Sequence, residues 1–140
     1  MALEPAESPG FLLWRATLRW QRAITATLAP FELTHVQFVL LASAWWLNGH
    51  GESPNQLAIA RHAGTDVKMT SEVLRSLERK GMIARAIDPS DTRAKHVLVT
   101  PRGSELAPTV IAAVEQTDAG FFAGVADTDV LAALRRLAAE

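Results

Sequence analysis

The periodicity of this sequence changes once, at Gly81, and that change narrows the fold more than any other feature. Upstream of it, apolar residues recur at spacings of three and four, the rhythm of amphipathic helices. Downstream, residues 82–87 alternate, and residues 95–100 are rich in β-branched side chains (Val97, Val99, Thr100), which suit a strand. Between the two runs lies Asp88-Pro89-Ser90-Asp91-Thr92-Arg93-Ala94, a charged, turn-forming segment. Helices followed by one β-hairpin, then helices again, predict a mainly α chain with a small hairpin.

The helices are bounded by local signals. Residues 11–28 carry Leu13, Ala16, Trp20, Ile24 and Leu28 on one stripe, and Pro30 stops them. Thr34 with Gln37 forms a capping box for a second helix, apolar almost all round, that ends at Asn48-Gly49. Ser53-Pro54-Asn55-Gln56 predicts a third, with Ser53 as N-cap, Pro54 at the first helical position and Gly64 as the stop. Thr65 or Asp66 caps a fourth, which buries Thr70, Val73, Leu74 and Leu77. After the hairpin, Thr100-Pro101 opens a long helix to about residue 122, with a kink expected at Pro108. A last helix starts at 126–128 and lines up Val130, Leu131, Leu134 and Leu137.

The third and fourth helices, joined by a turn containing Gly64, form a helix-turn-helix pattern, and the hairpin behind them makes it a winged helix-turn-helix. The exposed side of the fourth helix carries the groups that read DNA. Lys68 and Arg75 suit phosphates or guanine edges, Ser71 suits either, Glu72 can accept from a cytosine amine, and Met69 can touch a thymine methyl. Arg93 at the hairpin tip is long enough for a minor groove, with Asp91 to hold it and Lys95 beside it. The expected DNA-binding set is Thr65, Lys68, Met69, Thr70, Ser71, Glu72, Arg75, Asp91, Arg93 and Lys95.

Net charge, at −1, argues against a polyanion partner until it is resolved by segment. Residues 1–60 sum to −1, residues 61–102 to +4 and residues 103–140 to −4, so the cationic excess coincides with the helix-turn-helix and hairpin. The absence of cysteine excludes a disulfide framework, a thiolate-ligated metal and a redox-sensing thiol. The four histidines are scattered without ligand spacing, and no nucleophile–base pair or phosphate loop stands out. No metal, cofactor or catalytic residue is therefore expected, and the chain is not expected to be an enzyme. The longest nearly apolar run, residues 38–47, is too short to span a bilayer. With no positively charged, apolar leader at the N-terminus, a cytoplasmic protein is expected.

Residues 33–105 resemble the MarR (multiple antibiotic resistance regulator) family of bacterial transcription factors. The resemblance is carried by Leu33-Thr34, by Gln56-Leu57-Ala58 and by Leu77-Glu78-Arg79-Lys80-Gly81. It is strongest in the wing, residues 88–95, and in the Leu98-Val99-Thr100-Pro101-Arg102-Gly103 that follows. It implies a homodimer in which helices at 11–30 and 104–140 interlock, while residues 33–103 form the DNA-binding lobe of a single 1–140 domain. It also implies a pseudo-palindromic double-stranded operator and repression modulated by a small aromatic or amphipathic effector. Trp14, Trp20, Trp45 and Trp46 are candidate walls for such an effector, although core packing is the competing role for each. Glu72 stands where many relatives carry Arg or another polar donor, so half-site preference does not carry over. The alternative function is a winged-helix module that binds protein or small molecules without DNA.

Overall fold

The structure is a computed structural model that describes residues 2–88 and 91–139, with side chains described for 2–87 and 95–139. The chain forms two compact units, one from Met1–Thr27 with Ala113–Glu140 and the other from Leu28–Ala112. The winged lobe therefore extends past residue 103 to take in the first half of the long helix.

The first unit contains α1 (Pro9–Leu28) up to Thr27, the last part of α5 (Pro101–Phe121) and α6 (Asp127–Ala138). Ile24 and Val114 are buried. Two polar ties join α1 to α5: Trp20 Nε1 donates to Asp118 at 2.8 Å, and the hydroxyls of Thr27 and Thr117 lie 2.6 Å apart. Asp127 and Asp129 sit in the first turn of α6 and Arg135 and Arg136 in its last, each opposing the nearer end of the helix dipole. Much of the apolar surface is uncovered in the single chain, including Phe11, Leu12, Leu13 and Trp14 on α1 and Leu131, Leu134 and Leu137 on α6. α5 runs through Pro108 as one helix, with the proline ring on its exposed side.

The second unit is built around α2 (His35–Gly49), which packs against α3 (Gln56–Ala63), α4 (Val67–Arg79) and the hairpin. The Thr34–Gln37 capping box forms in both directions, at 3.0 and 3.2 Å. Leu40, Leu41, Ile59, Leu74, Leu77, Ile83, Val97 and Val110 form the dry core. Strands β1 (Ile83–Asp88) and β2 (Asp91–Val99) pair antiparallel, with a register shift between Ile87 and Asp88. The strands are longer than the sequence suggests, because much of the segment expected as a loop pairs as strand.

The free edge of β2 is satisfied from outside the hairpin. Asn48 at the end of α2 donates to the Val97 carbonyl at 3.2 Å and accepts from the Val99 amide at 2.9 Å, so one side chain stands in for a strand. The Pro54 carbonyl accepts from the Val97 amide at 2.8 Å, and Asn55 bridges to His96. Because 54–55 is held extended on this edge, α3 cannot begin at Ser53. Its N-cap is Asn55, whose side chain accepts from the Ala58 amide at 2.9 Å.

The wing joins α5 at a tight junction. Thr100 Oγ1 donates to the Gly81 carbonyl at 2.6 Å and accepts from the Gly103 amide at 3.1 Å, while the Thr100 amide donates to the Met82 carbonyl at 3.0 Å. A Cβ at position 103 would run into the Met82 carbonyl oxygen and lie 2.8 Å from Val99 Cγ1, so only glycine lets the helix start so close to the strand. Among the described residues, no single helix is long and apolar enough to cross a membrane. Gly103→Ala is expected to destabilise the chain by about 1–3 kcal/mol through this overpacking. Urea unfolding of the two proteins checks it, and an unchanged midpoint would show that the junction relaxes freely.

Candidate nucleic-acid interface

α4 is the most sharply two-sided helix in the winged lobe. Thr70, Leu74 and Leu77 are fully buried, one turn apart, while Lys68, Met69, Glu72 and Arg75 are exposed on the other side. The helix is positioned at its start by four local bonds. Asp66 Oδ2 accepts from the Met69 amide at 2.9 Å as the N-cap. Gly64, left-handed at φ 71°, closes α3, and the Thr65 amide donates back to the Ala60 carbonyl at 3.0 Å. Thr65 and Thr70 hydroxyls lie 2.7 Å apart, and Thr70 also donates to the Asp66 carbonyl at 2.7 Å.

Thr70 is the residue of the expected DNA-binding set that the structure moves. It is fully buried, so its hydroxyl cannot reach a groove, and it braces the turn instead. Thr65, half-buried, shares that bracing role. Ser71 is half-buried and its Oγ accepts from Arg75 Nη2 at 3.2 Å, which steers the guanidinium along the exposed face of the helix. Lys95 is exposed on β2 opposite Ile87. Asp91 and Arg93 are placed on β2, but their side chains lie outside the described residues, as does the whole of Pro89 and Ser90.

At its far end α4 is tied to α2. The buried Gln37 donates to Ser76 Oγ at 2.9 Å and accepts from Lys80 Nζ at 3.0 Å, so the capping-box side chain also anchors the helix that bears the candidate contacts. A further basic residue escaped the sequence reading. Arg85 on β1 is half-buried and donates through Nη2 to the Ser71 carbonyl at 3.4 Å, linking the hairpin root to α4. Its Nε is buried without a hydrogen-bond partner among the described residues. The alternation of residues 82–87 contained the only available signal, since it puts Arg85 on the same face of the strand as the buried Ile83.

The four tryptophans fall into two pairs, one in each unit. Trp14 and Trp20 belong to the first unit, where Trp14 is exposed and Trp20 is half-buried against Asp118. Trp45 and Trp46 belong to the second, where neighbouring helical positions point ~100° apart. Trp45 is half-buried, and Trp46 is exposed with its ring 4.0 Å from that of His50.

Comparison with known proteins gives a consistent result. Residues 33–95 match the family model MarR, described as the MarR family. The chain is 46% identical over 119 residues to the HTH-type transcriptional regulator YdcH of Bacillus subtilis, covering 85% of this chain and 81% of that protein. It is 33% identical over 112 residues to the HTH-type transcriptional repressor Rv2887 of Mycobacterium tuberculosis, covering 79% of this chain and 76% of the repressor. Its fold is similar to the crystal structure of CouR from Rhodococcus jostii RHA1 bound to p-coumaroyl-CoA. There the TM-score is 0.84 and the identity 28%, with 97% of this chain and 93% of CouR covered.

The N-cap of α4 carries a direct expectation. Asp66→Ala removes the acceptor for the Met69 amide and is expected to cost about 1 kcal/mol. Hydrogen exchange at the amides of 68–70 should quicken with it, and unchanged exchange there would remove Asp66 from the account of how α4 is held.

Proposed function

The chain belongs to the MarR family of transcriptional regulators, and from that premise we propose how it reads DNA. α4 lies in the major groove with Lys68, Met69, Glu72 and Arg75 toward the DNA. Arg75 and Lys68 make the phosphate or guanine contacts, and Glu72 biases the base readout. The wing follows the adjacent backbone, with Lys95 on phosphate and Arg93 in the minor groove. The observation that supports this reading is the split of α4: a fully buried Thr70–Leu74–Leu77 side and, opposite it, exposed cations in the one segment with a net charge of +4.

The protein works as a homodimer. The uncovered apolar residues of α1 and α6 supply the surface for it, and a two-fold dimer matches a pseudo-palindromic operator. Residues 11–30 and 104–140 serve dimerisation in this reading, and residues 33–103 serve DNA. It represses its target genes, as the name of the 33%-identical repressor indicates for that protein, and a small aromatic or amphipathic ligand modulates it, by analogy with CouR and p-coumaroyl-CoA. Such a role requires the cytoplasm, where the DNA is.

A gel-shift with DNA from upstream of the protein's own gene tests the reading. A sequence-preferring complex is expected, weakening steeply with salt as phosphate contacts release counterions. Arg75→Ala and Arg93→Ala should each lower affinity by about 1–3 kcal/mol, roughly 10- to 100-fold. Binding that ignores sequence, or that both variants leave intact, would sink the assignment of these residues.

A further inference from the structure

α4 leaves two apolar side chains open among its polar ones. Val67 is 48% exposed and Met69 38%. At about 100° per residue they fall about 160° apart, one on each flank of the face that carries Lys68, Glu72 and Arg75, so they cannot serve one contact. Val67 has an apolar companion across the turn. Leu57, in the first turn of α3, is 42% exposed and lines the same cleft as Val67. Gln56, beside Leu57 in the chain, donates through Nε2 to the Val67 carbonyl at 3.5 Å, which keeps the starts of the two helices together. Arg85 and Lys95 line this cleft from the hairpin, so the Leu57–Val67 pair lies on the wing side of α4.

Helix formation does not explain valine here. Val67 is the first residue of α4, and valine is one of the weaker helix formers. The surroundings say what covers it. Arg85 and Lys95 beside the pair, with Lys68 and Arg75 on the adjoining face, attract a polyanion and repel a basic partner. An apolar wall among cations needs a partner that is anionic along its length and apolar at one point. Duplex DNA offers that combination in the major groove, where the thymine 5-methyl is the one apolar group on a base-pair edge. The N-terminal residues of a recognition helix are the ones that meet base edges, and Val67 stands first among them.

We propose that Val67, backed by Leu57, is a specificity residue that packs on the 5-methyl group of one thymine in each half-site. The inference rests on the reading of α4 as a major-groove helix and names a base that this helix selects. Val67 supplies the apolar contact on the wing side of α4, and Lys95 draws the neighbouring phosphate to the same place.

The test uses the whole protein and the shortest duplex from upstream of its gene that gives a sequence-preferring gel-shift. Each thymine is replaced in turn by deoxyuridine, which keeps the base pair and removes only the methyl. One symmetry-related pair of positions should lose affinity by roughly 4-fold per half-site, as expected for one methyl returned to water. Val67→Ala, a substitution that favours the helix, should weaken binding to the unmodified duplex and abolish the uridine penalty at those positions. Leu57→Ala should reduce that penalty, while Arg75→Ala and the uridines should act independently. Uridine tolerated at every position would overturn the proposal. A penalty that Val67→Ala leaves intact, or that Met69→Ala removes instead, would overturn it as well. In either case the DNA reading stands, because the complex still forms. No shift with any upstream fragment would overturn the DNA reading itself, and this proposal with it.

Discussion

The Thr100 hydroxyl, held between the Gly81 carbonyl and the Gly103 amide, is the bond on which the rest of the winged lobe depends. Gly81 ends the approach from α4, Met82 begins the wing, and Gly103 begins the packed part of α5. One side chain therefore sets where three elements leave a common point. The close approach at Gly103 leaves no room for a second arrangement, because the Met82 backbone fills the space a Cβ would need. Given that junction, the direction of the hairpin relative to α4 follows, and Arg85 and Asn48 tie each strand to a neighbouring helix.

The electrostatic design is local. A near-neutral chain avoids the self-repulsion of a strongly basic one, while the +4 of residues 61–102 falls on the helix-turn-helix and hairpin. Within that segment the cations are sorted by position. Lys68 and Arg75 lie on the open side of α4, Arg85 is tucked under the hairpin, Arg79 and Lys80 stand at the end of α4, and Arg102 lies at the start of α5.

Signals within a few residues of one another were legible in the sequence. The Thr34–Gln37 box, the stop at Gly64 and the Thr100–Pro101 start all form as their spacing predicts, and of the two caps offered for α4, Thr65 and Asp66, the structure takes Asp66; each is a short-range hydrogen bond. Features that depend on residues far apart were not. Ser53 has the chemistry of an N-cap, but pairing of 54–55 with β2 moves the start of α3 to Gln56. Asn48 reads as a helix stop, and only the fold reveals it as a partner for β2. Thr70 looked suitable both for the buried side of α4 and for DNA, and its full burial decides between them.

The central claim is that α4 occupies a major groove while the wing tracks the neighbouring minor groove, in two copies related by a two-fold axis. Hydroxyl-radical footprinting of the operator, with methylation interference on guanine N7, tests it most directly. The account predicts two patches of major-groove interference whose centres lie about one helical turn, roughly 10 bp, apart. Each should be flanked by minor-groove protection from the wing. A single unpaired patch, or protection of the minor groove with no guanine interference, would contradict it.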